Sequence, residues 1–566
     1  MDGAETHHTT NLSFFERLTL LFKFHWRGFI VFITPFIFLP IALMGTPAYN
    51  CLYVLLIMAV YWVSEALPLP VTSMIPIVAF PLFGILDSET TCKLYFKDTL
   101  VMFMGGIMIA LTIEHCNLHK RLALKVIQIV GCSPRRLHFG LIATTTFISI
   151  WISNAAATSM MCPIIFAILE ELQNQGLCKM YQEDDYKLVG KKEDDEPKSP
   201  SKMAIAFYMG ISYAASIGGC GSLIGTGTNL TFKGIFDTRF PNAKDAIDFG
   251  SFIVYSIPIV ILCSCCMYLY LQWLYMGMFR PKSKEAQDAN IGEEGARVAK
   301  NVVDQRYKEL GPMTSHEKGV MILFILMVLL YFTRNPGFMP GWASIFGVKN
   351  VKNSLPTILV VILLFILPAN WGFIKFFTGQ GPYPNSTTPS MSNWKFLQQR
   401  VPWGLIFLIG GGFALAEGSK QSGMASMIAE SLNILGSLPK PAILFIVLLI
   451  AEFLTAFSSN VAIANIIIPV LCEMAVTIGI HPLYLILPAG LACSMAFHLP
   501  VSTPPNAIVA GYANIKSKDM AIAGVGPTIS SIVILFALCQ LWGIVIYPDL
   551  NVFPEWAVTV VANATT

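Results

Sequence analysis

Apolar runs alternate with short polar or basic stretches along nearly the whole chain. Helices rise 1.5 Å per residue and a bilayer core takes about twenty apolar residues to cross. The pattern therefore predicts an all-α polytopic membrane protein. Spans are expected at about 29–44, 52–67, 73–86 and from 98 to the basic stretch after 117. Further spans start near 204 and 252, then follow at about 320–332 and 357–371, around 408–412, after the second break below, and at 520–547. Two other runs carry a polar break at their centre: Ser149-Ile150-Trp151-Ile152-Ser153-Asn154 and Phe457-Ser458-Ser459-Asn460-Val461. Each arm around a break is short for a crossing, so the two runs, about 138–172 and 441–476, read as re-entrant hairpins with Ser-Asn tips. The total is about eleven transmembrane helices plus two hairpins.

The landmarks repeat. A glycine-rich span, a Ser-Asn tip and a broken helix carrying Asn occur twice in the same order. Gly106 and Gly411 lie 305 apart, Asn154 and Asn460 306, and Asn229 and Asn506 277. The shortfall of 29 in the last offset matches a charged linker at about 177–202 that occurs in the first half alone. Glycine inside a helix costs about 1 kcal/mol relative to alanine. The runs Gly218-Gly219-Cys220-Gly221 and Gly225-Thr226-Gly227 therefore predict an unwound segment, as does Ser502-Thr503-Pro504-Pro505. The organisation expected is a cytoplasmic N-terminus (1–28), a first half (29–275), a cytoplasmic amphipathic connector (276–317), a second repeat (318–547) and an extracellular tail (548–566).

Charge sets the orientation. Lys23, His25 and Arg27 before the first span, and Lys120, Arg121, Arg135 and Arg136 later, place those segments inside. The first hairpin then enters from the cytoplasm and the second from outside. Inverted repeats with discontinuous helices are the build of secondary transporters. The sequon at Asn563 falls outside and is the expected glycosylation site, whereas those at Asn11, Asn229 and Asn385 are expected to be unmodified.

Composition adds limits. With 55% hydrophobic and 13% charged residues and a mean hydropathy of +0.63, the chain is far from a soluble domain. A net charge of +3 gives no reason to expect nucleic acid. No signal peptide is apparent, and the 13 cysteines show no metal or redox spacing. No cofactor is expected.

Two tips and two broken helices meeting in one place would offer backbone N–H groups, helix N-termini and hydroxyls to carboxylate oxygens. Their carbonyls and Asn oxygens would suit small hard cations such as sodium. No Lys or Arg adjoins either Ser-Asn pair, and Lys233 reads as a snorkelling lysine. Glu452, in an apolar run, is a candidate proton or cation site, His498 reads as a satisfied interior imidazole, and Glu65 is a weaker candidate. An intramembrane enzyme using Ser153 or Ser459 as a nucleophile lacks a neighbouring His or Lys as base, and a channel is the other rival class.

At these residues the chain resembles the divalent anion/sodium symporter family, solute carrier family 13. The marks are Trp151-Ile152-Ser153-Asn154, Tyr213 to Gly219, Gly225-Thr226-Gly227, Pro402-Trp403-Gly404, Gly410 to Ala414, Ser459-Asn460-Val461 and Thr503-Pro504-Pro505-Asn506. The resemblance implies a homodimer of elevator-type transporters in the plasma membrane that carry citrate and C4-dicarboxylates. It implies that Ser153, Asn154, Ser459, Asn460 and Val461 contact substrate and that Thr226 and Gly404 line the site, with Gly227, Thr503 and Pro504 at the breaks completing it. It further matches Ser149, Asn154 and Gly227 to one sodium site and Thr455, Asn460 and Ser502 to another. Three departures remove hydroxyls or alter a break: Ala155 after the first motif, Ile463-Ala464 after the second, and Thr228 where many members carry proline. They point to cation-independent transport or anion exchange of di- and tricarboxylates, with sodium-coupled symport and sulfate transport as alternatives.

Overall fold

The computed structural model describes residues 13–181, 199–243, 246–288, 290, 292–334, 340–347, 351–379, 381, 383–424, 427–428 and 438–557. Asn11, Asn563, most of the charged linker and the end of the tail lie outside them. The described chain is helical, its only β pairings being two isolated bridges. Among the described residues, eight helices are long and apolar enough to cross a bilayer, or nine if the pair Trp394–Arg400 and Gly404–Gln421, bent by 59°, counts as one span.

Three differences from the sequence pattern have local causes. The third expected span, about 73–86, is only the helix Ile75–Leu82, preceded by a separate turn of helix at Leu69–Thr72, in a run with Pro68, Pro70 and Pro76 near the helix starts. The eighth stops at Ile366, because Pro368 holds Leu367 in an extended conformation. The trailing arms are also longer than expected. The leading arms, Pro134–Ser149 and Lys440–Thr455, have 16 residues each, but the trailing arms, Asn154–Asn174 and Asn460–Ile478, have 21 and 19. Both trailing arms count among the eight long helices.

The broken helices are Lys202–Gly219 with Gly227–Arg239, and Pro482–Ala492 with Pro504–Ala513. The second piece of each leaves its own half. Gly227–Arg239 packs on the second trailing arm, and Pro504–Ala513 on the first. The first of these contacts is lengthwise. A Cβ on Gly227 would lie 3.3 Å from Val461, and twelve residues further along both helices Arg239 pairs with Glu473. Twelve residues are about 18 Å of helix, so the two run parallel, side by side. That ion pair, buried and bidentate, was not legible in the sequence, because its members sit 234 residues apart.

A helix at Leu118–Val130, also unforeseen, lays one apolar face inward through Leu118, Leu124 and Ile127. Its Arg121 donates to the carbonyls of Leu310 and Gly311 and to both oxygens of Glu317. The end of the connector helix Gly292–Glu309 is thereby fixed to the first half. Phe14–Ala42 is the opposite case: it buries only Thr34, as suits a helix surrounded by lipid.

Candidate functional site

Both Ser-Asn pairs sit where one helix stops and the next begins. Ser153 and Ser459 are N-caps with nearly the same backbone, φ/ψ of −57°/141° and −59°/131°. Ser153 Oγ accepts from Ala156 N at 3.4 Å, whereas Ser459 makes no capping bond. Asn154 and Asn460 open the trailing helices, whose first N–H groups have no helical partner and carry the positive end of the dipole.

Each asparagine is held in the same way. Ser149 Oγ is 2.9 Å from Asn154 Oδ1 and 2.7 Å from the Ala215 carbonyl. In the second half Thr455 Oγ1 is 2.9 Å from Asn460 Oδ1 and 2.7 Å from the Cys493 carbonyl. The other two asparagines lock the breaks. Asn229 Nδ2 donates to the carbonyls of Gly219 and Ser222, ten and seven residues back. Asn506 Nδ2 donates to those of Ala496 and Leu499, again ten and seven residues back. The caps of the second pieces, Thr226 and Thr503, share φ/ψ of −144° with 149° and 148°. The repeat inferred from three landmarks thus extends to individual hydrogen bonds.

Close packing draws these parts together. A Cβ on Gly219 would collide with Asn154 Oδ1, and one on Gly225 would stand 3.0 Å from the Ile150 carbonyl. The first tip therefore touches the first break, Gly227 touches Val461 of the second tip, and Asn460 Nδ2 reaches the Ser494 carbonyl of the second break at 3.4 Å. Gly219→Ala is expected to lower transport at least about fivefold, because over-packing of about 1–3 kcal/mol must be relieved by moving Asn154. Uptake measurements check this against Gly511→Ala, where the added Cβ meets nothing within 4 Å.

The remaining candidates fall less centrally. Gly404 sits at the 59° bend with Pro70 as its nearest neighbour. Pro504 is exposed at the start of its helix, and Thr503 is buried beside it. Of the two sodium sets, Ser149 meets Asn154 and Thr455 meets Asn460, but Gly227 lies on Val461 and Ser502 bonds Leu499 and Asn506. The donors are neutral oxygens of the kind sodium takes. Both Asn Oδ1 atoms already face a hydroxyl, and no carboxylate joins either set, so the residues fit a weakly held ion. Among the described residues no cluster of His, Cys, Asp or Glu could hold a metal.

Lys233 pairs with Asp237 and does not contact the tips. His498 uses both ring nitrogens, Nδ1 at 3.2 Å from the Ala521 carbonyl and Nε2 at 3.0 Å from Thr528 Oγ1. Glu65 is only the left-handed C-cap of Pro47–Ser64. Asn229 is fully buried, which bars glycosylation there. Sequence reasoning missed Ser212, whose hydroxyl donates to Asn506 Oδ1 at 2.7 Å across the halves. It also gave no role to Ser216 and Ser494, both buried; the hydroxyls of Ser216, Thr228 and Thr503 and Asn229 Oδ1 are buried with no hydrogen-bond partner among the described residues. Their signal was the repeat offset itself: 216 and 494 differ by 278, close to the 277 of the asparagines.

The arrangement is a neutral, donor-rich crossing of two helix breaks and two helix starts, suited to an anion held by dipoles. Comparison with known proteins gives it a context. The sodium:sulfate symporter transmembrane region matches residues 23–548. The chain is 63% identical to the Drosophila melanogaster "Protein I'm not dead yet" over 95% of this chain and 92% of that one. It is 37% identical to Na(+)/dicarboxylate cotransporter 3 of Rattus norvegicus, covering 95% of both chains. It is 36% identical to the Na(+)/citrate cotransporter of the same species, over 93% of this chain and 96% of the other.

Proposed function

This chain belongs to the sodium:sulfate symporter family, solute carrier family 13, and is a membrane transporter rather than an enzyme; from that premise we propose that it carries di- and tricarboxylates such as citrate, succinate, fumarate and 2-oxoglutarate across the plasma membrane. The observation that carries the reading is the twinned site. Two serine-capped helix starts, at Asn154 and Asn460, lie against two unwound segments with no lysine or arginine between them. A carboxylate at each start would take backbone N–H groups and the Ser153 or Ser459 hydroxyl. Neutral donors bind a dianion without the depth of an ion pair, which lets it leave on the other side.

The names of the relatives support this substrate class and also favour a second reading, sodium symport. We favour sodium-independent movement, because Ala155 after the first tip and Ile463-Ala464 after the second offer no hydroxyl that could help to hold the ion. Transport would proceed by an elevator movement of the tips and breaks within a homodimer, with the N-terminus cytoplasmic and the C-terminus outside. Sulfate is the less favoured cargo. In proteoliposomes, uptake of labelled citrate is expected to persist when choline replaces sodium. Uptake that vanishes in choline would establish the symport reading instead.

A further inference from the structure

Glu452 lies on the second leading arm, one helical turn before Thr455, and its side chain is 2% exposed. Its Oε2 accepts a hydrogen bond from Ser531 Oγ at 3.0 Å, and its Oε1 has no partner among the described residues. Three buried thiols are close enough for their charge to interact with it: Cys220 of the first break, Cys263 of the helix Phe249–Tyr275, and Cys493 of the second break. The other ionisable groups on the helices packed around it are engaged or remote. Glu473 is paired with Arg239, Tyr484 is bonded by Gln540, His498 is one turn from Ser531 with both ring nitrogens engaged by Ala521 and Thr528, and Lys518 and Asp519 lie about three turns from Ser531. This is a buried carboxylate with no lysine or arginine paired to it among the described residues.

The repeat shows that packing alone does not call for a carboxylate here. Subtracting the tip offset of 306 from 452 gives Thr146 on the first leading arm. Thr146 Oγ1 stands 3.4 Å from Ser264 Oγ on the helix that packs against that arm, the counterpart of the Glu452–Ser531 contact. One half thus has a pair of hydroxyls where the other has a carboxylate and a hydroxyl. One turn along the same arm, the Thr455 hydroxyl lies against Asn460 Oδ1 and the Cys493 carbonyl, so the carboxylate sits a helical turn from the hydrogen bonds of the second tip.

We propose that Glu452 is a proton site linked to anion binding at the second tip. A buried unpaired charge is costly, and a second negative charge arriving nearby makes it costlier. The carboxylate takes a proton from water as the anion binds and returns it to water when the anion leaves. One proton then travels with each anion, in the role that sodium has in the alternative reading. This inference rests on the proposed carboxylate transport.

The test uses the purified full chain in proteoliposomes with membrane potential clamped and a dye reporting lumenal pH. Fumarate is the substrate, since its two carboxyls stay ionised between about pH 6 and pH 8. Linkage of one proton changes apparent affinity by up to about tenfold per pH unit. An inward proton gradient of one unit is therefore expected to speed wild-type uptake by roughly five- to tenfold and to acidify the lumen as fumarate enters. In Glu452→Gln, and in Glu452→Thr, which copies the hydroxyl of the other half, the ratio of rates with and without the gradient should fall to about one. Variants that respond like wild type, or a wild type that transports but ignores the gradient, overturn the proposal. A wild type that moves no carboxylate at all rejects the substrate reading, and the proton site with it. If a variant does not transport, calorimetry of fumarate binding in two buffers of different protonation enthalpy decides. About one proton should be taken up by wild type and none by Glu452→Gln; equal uptake overturns the assignment.

Discussion

Uptake of labelled citrate or succinate is expected to fall to background in Asn154→Ala and in Asn460→Ala, while both proteins still reach the cell surface. Each asparagine opens a trailing helix and accepts from a buried hydroxyl, Ser149 or Thr455, that also lies against a carbonyl in the neighbouring break. Truncation removes a ligand-facing amide and unties the tip from the break at the same time. One hydrogen bond contributes about 0.5–1.5 kcal/mol, but a group left buried and unpaired costs about 1–3 kcal/mol. A loss of about 100-fold in transport is thus expected from either side chain alone. Neither asparagine is fully buried, so the fold should survive. Uptake assays paired with surface biotinylation check this, and full transport in both variants would remove the site assignment. Asn229→Ala and Asn506→Ala should behave differently. These residues are fully buried and fasten the breaks to themselves, so protein yield should drop along with activity.

Glu473→Ala is expected to destabilise the protein by about 3–5 kcal/mol, because it strands the Arg239 guanidinium between two helices with no counter-charge. The pair is bidentate, with Arg239 Nη2 to Glu473 Oε2 at 2.9 Å, and both residues are at least nine-tenths buried. A loss of that size is a large part of the roughly 5–15 kcal/mol that holds a typical domain together. The apparent melting temperature of detergent-solubilised protein and its yield at the surface measure the effect. Replacing both partners with apolar residues, Arg239→Met with Glu473→Leu, should restore most of the stability, since two charges then no longer need desolvating. If the double variant is no better than the single one, the pair has a role beyond mutual compensation.

Much of this site is legible in the amino-acid sequence. Proline and glycine act on their own neighbours, so the breaks at Gly225-Thr226-Gly227 and Thr503-Pro504-Pro505 can be read from a few residues each. The same holds for Ser153 and Ser459, whose capping preference is local. The exceptions are also local. The third span is shortened to Ile75–Leu82 in a run of prolines, and the trailing arms reach 21 and 19 residues because the first helix runs on through Glu170-Glu171 to Asn174 and the second ends on the left-handed Gly479.

What the sequence by itself determined is the class of molecule and the places where its helices stop: an all-helical membrane transporter with two capped helix starts and two unwound helices. Hydrophobic period and helix breakers are properties of adjacent residues, and they act in any fold. The tertiary structure alone decided which half each second piece joins. It placed Val461 beside Gly227 and Ser212 beside Asn506, pairs 234 and 294 residues apart. It also decided that Ser149 and Thr455 take the carbonyls of Ala215 and Cys493 as well as the asparagines. Such partners are fixed by packing across the chain, where every donor must find an acceptor shielded from water. For the same reason the isolation of Glu452, the feature on which coupling is proposed to turn, shows only once its neighbours are assembled around it.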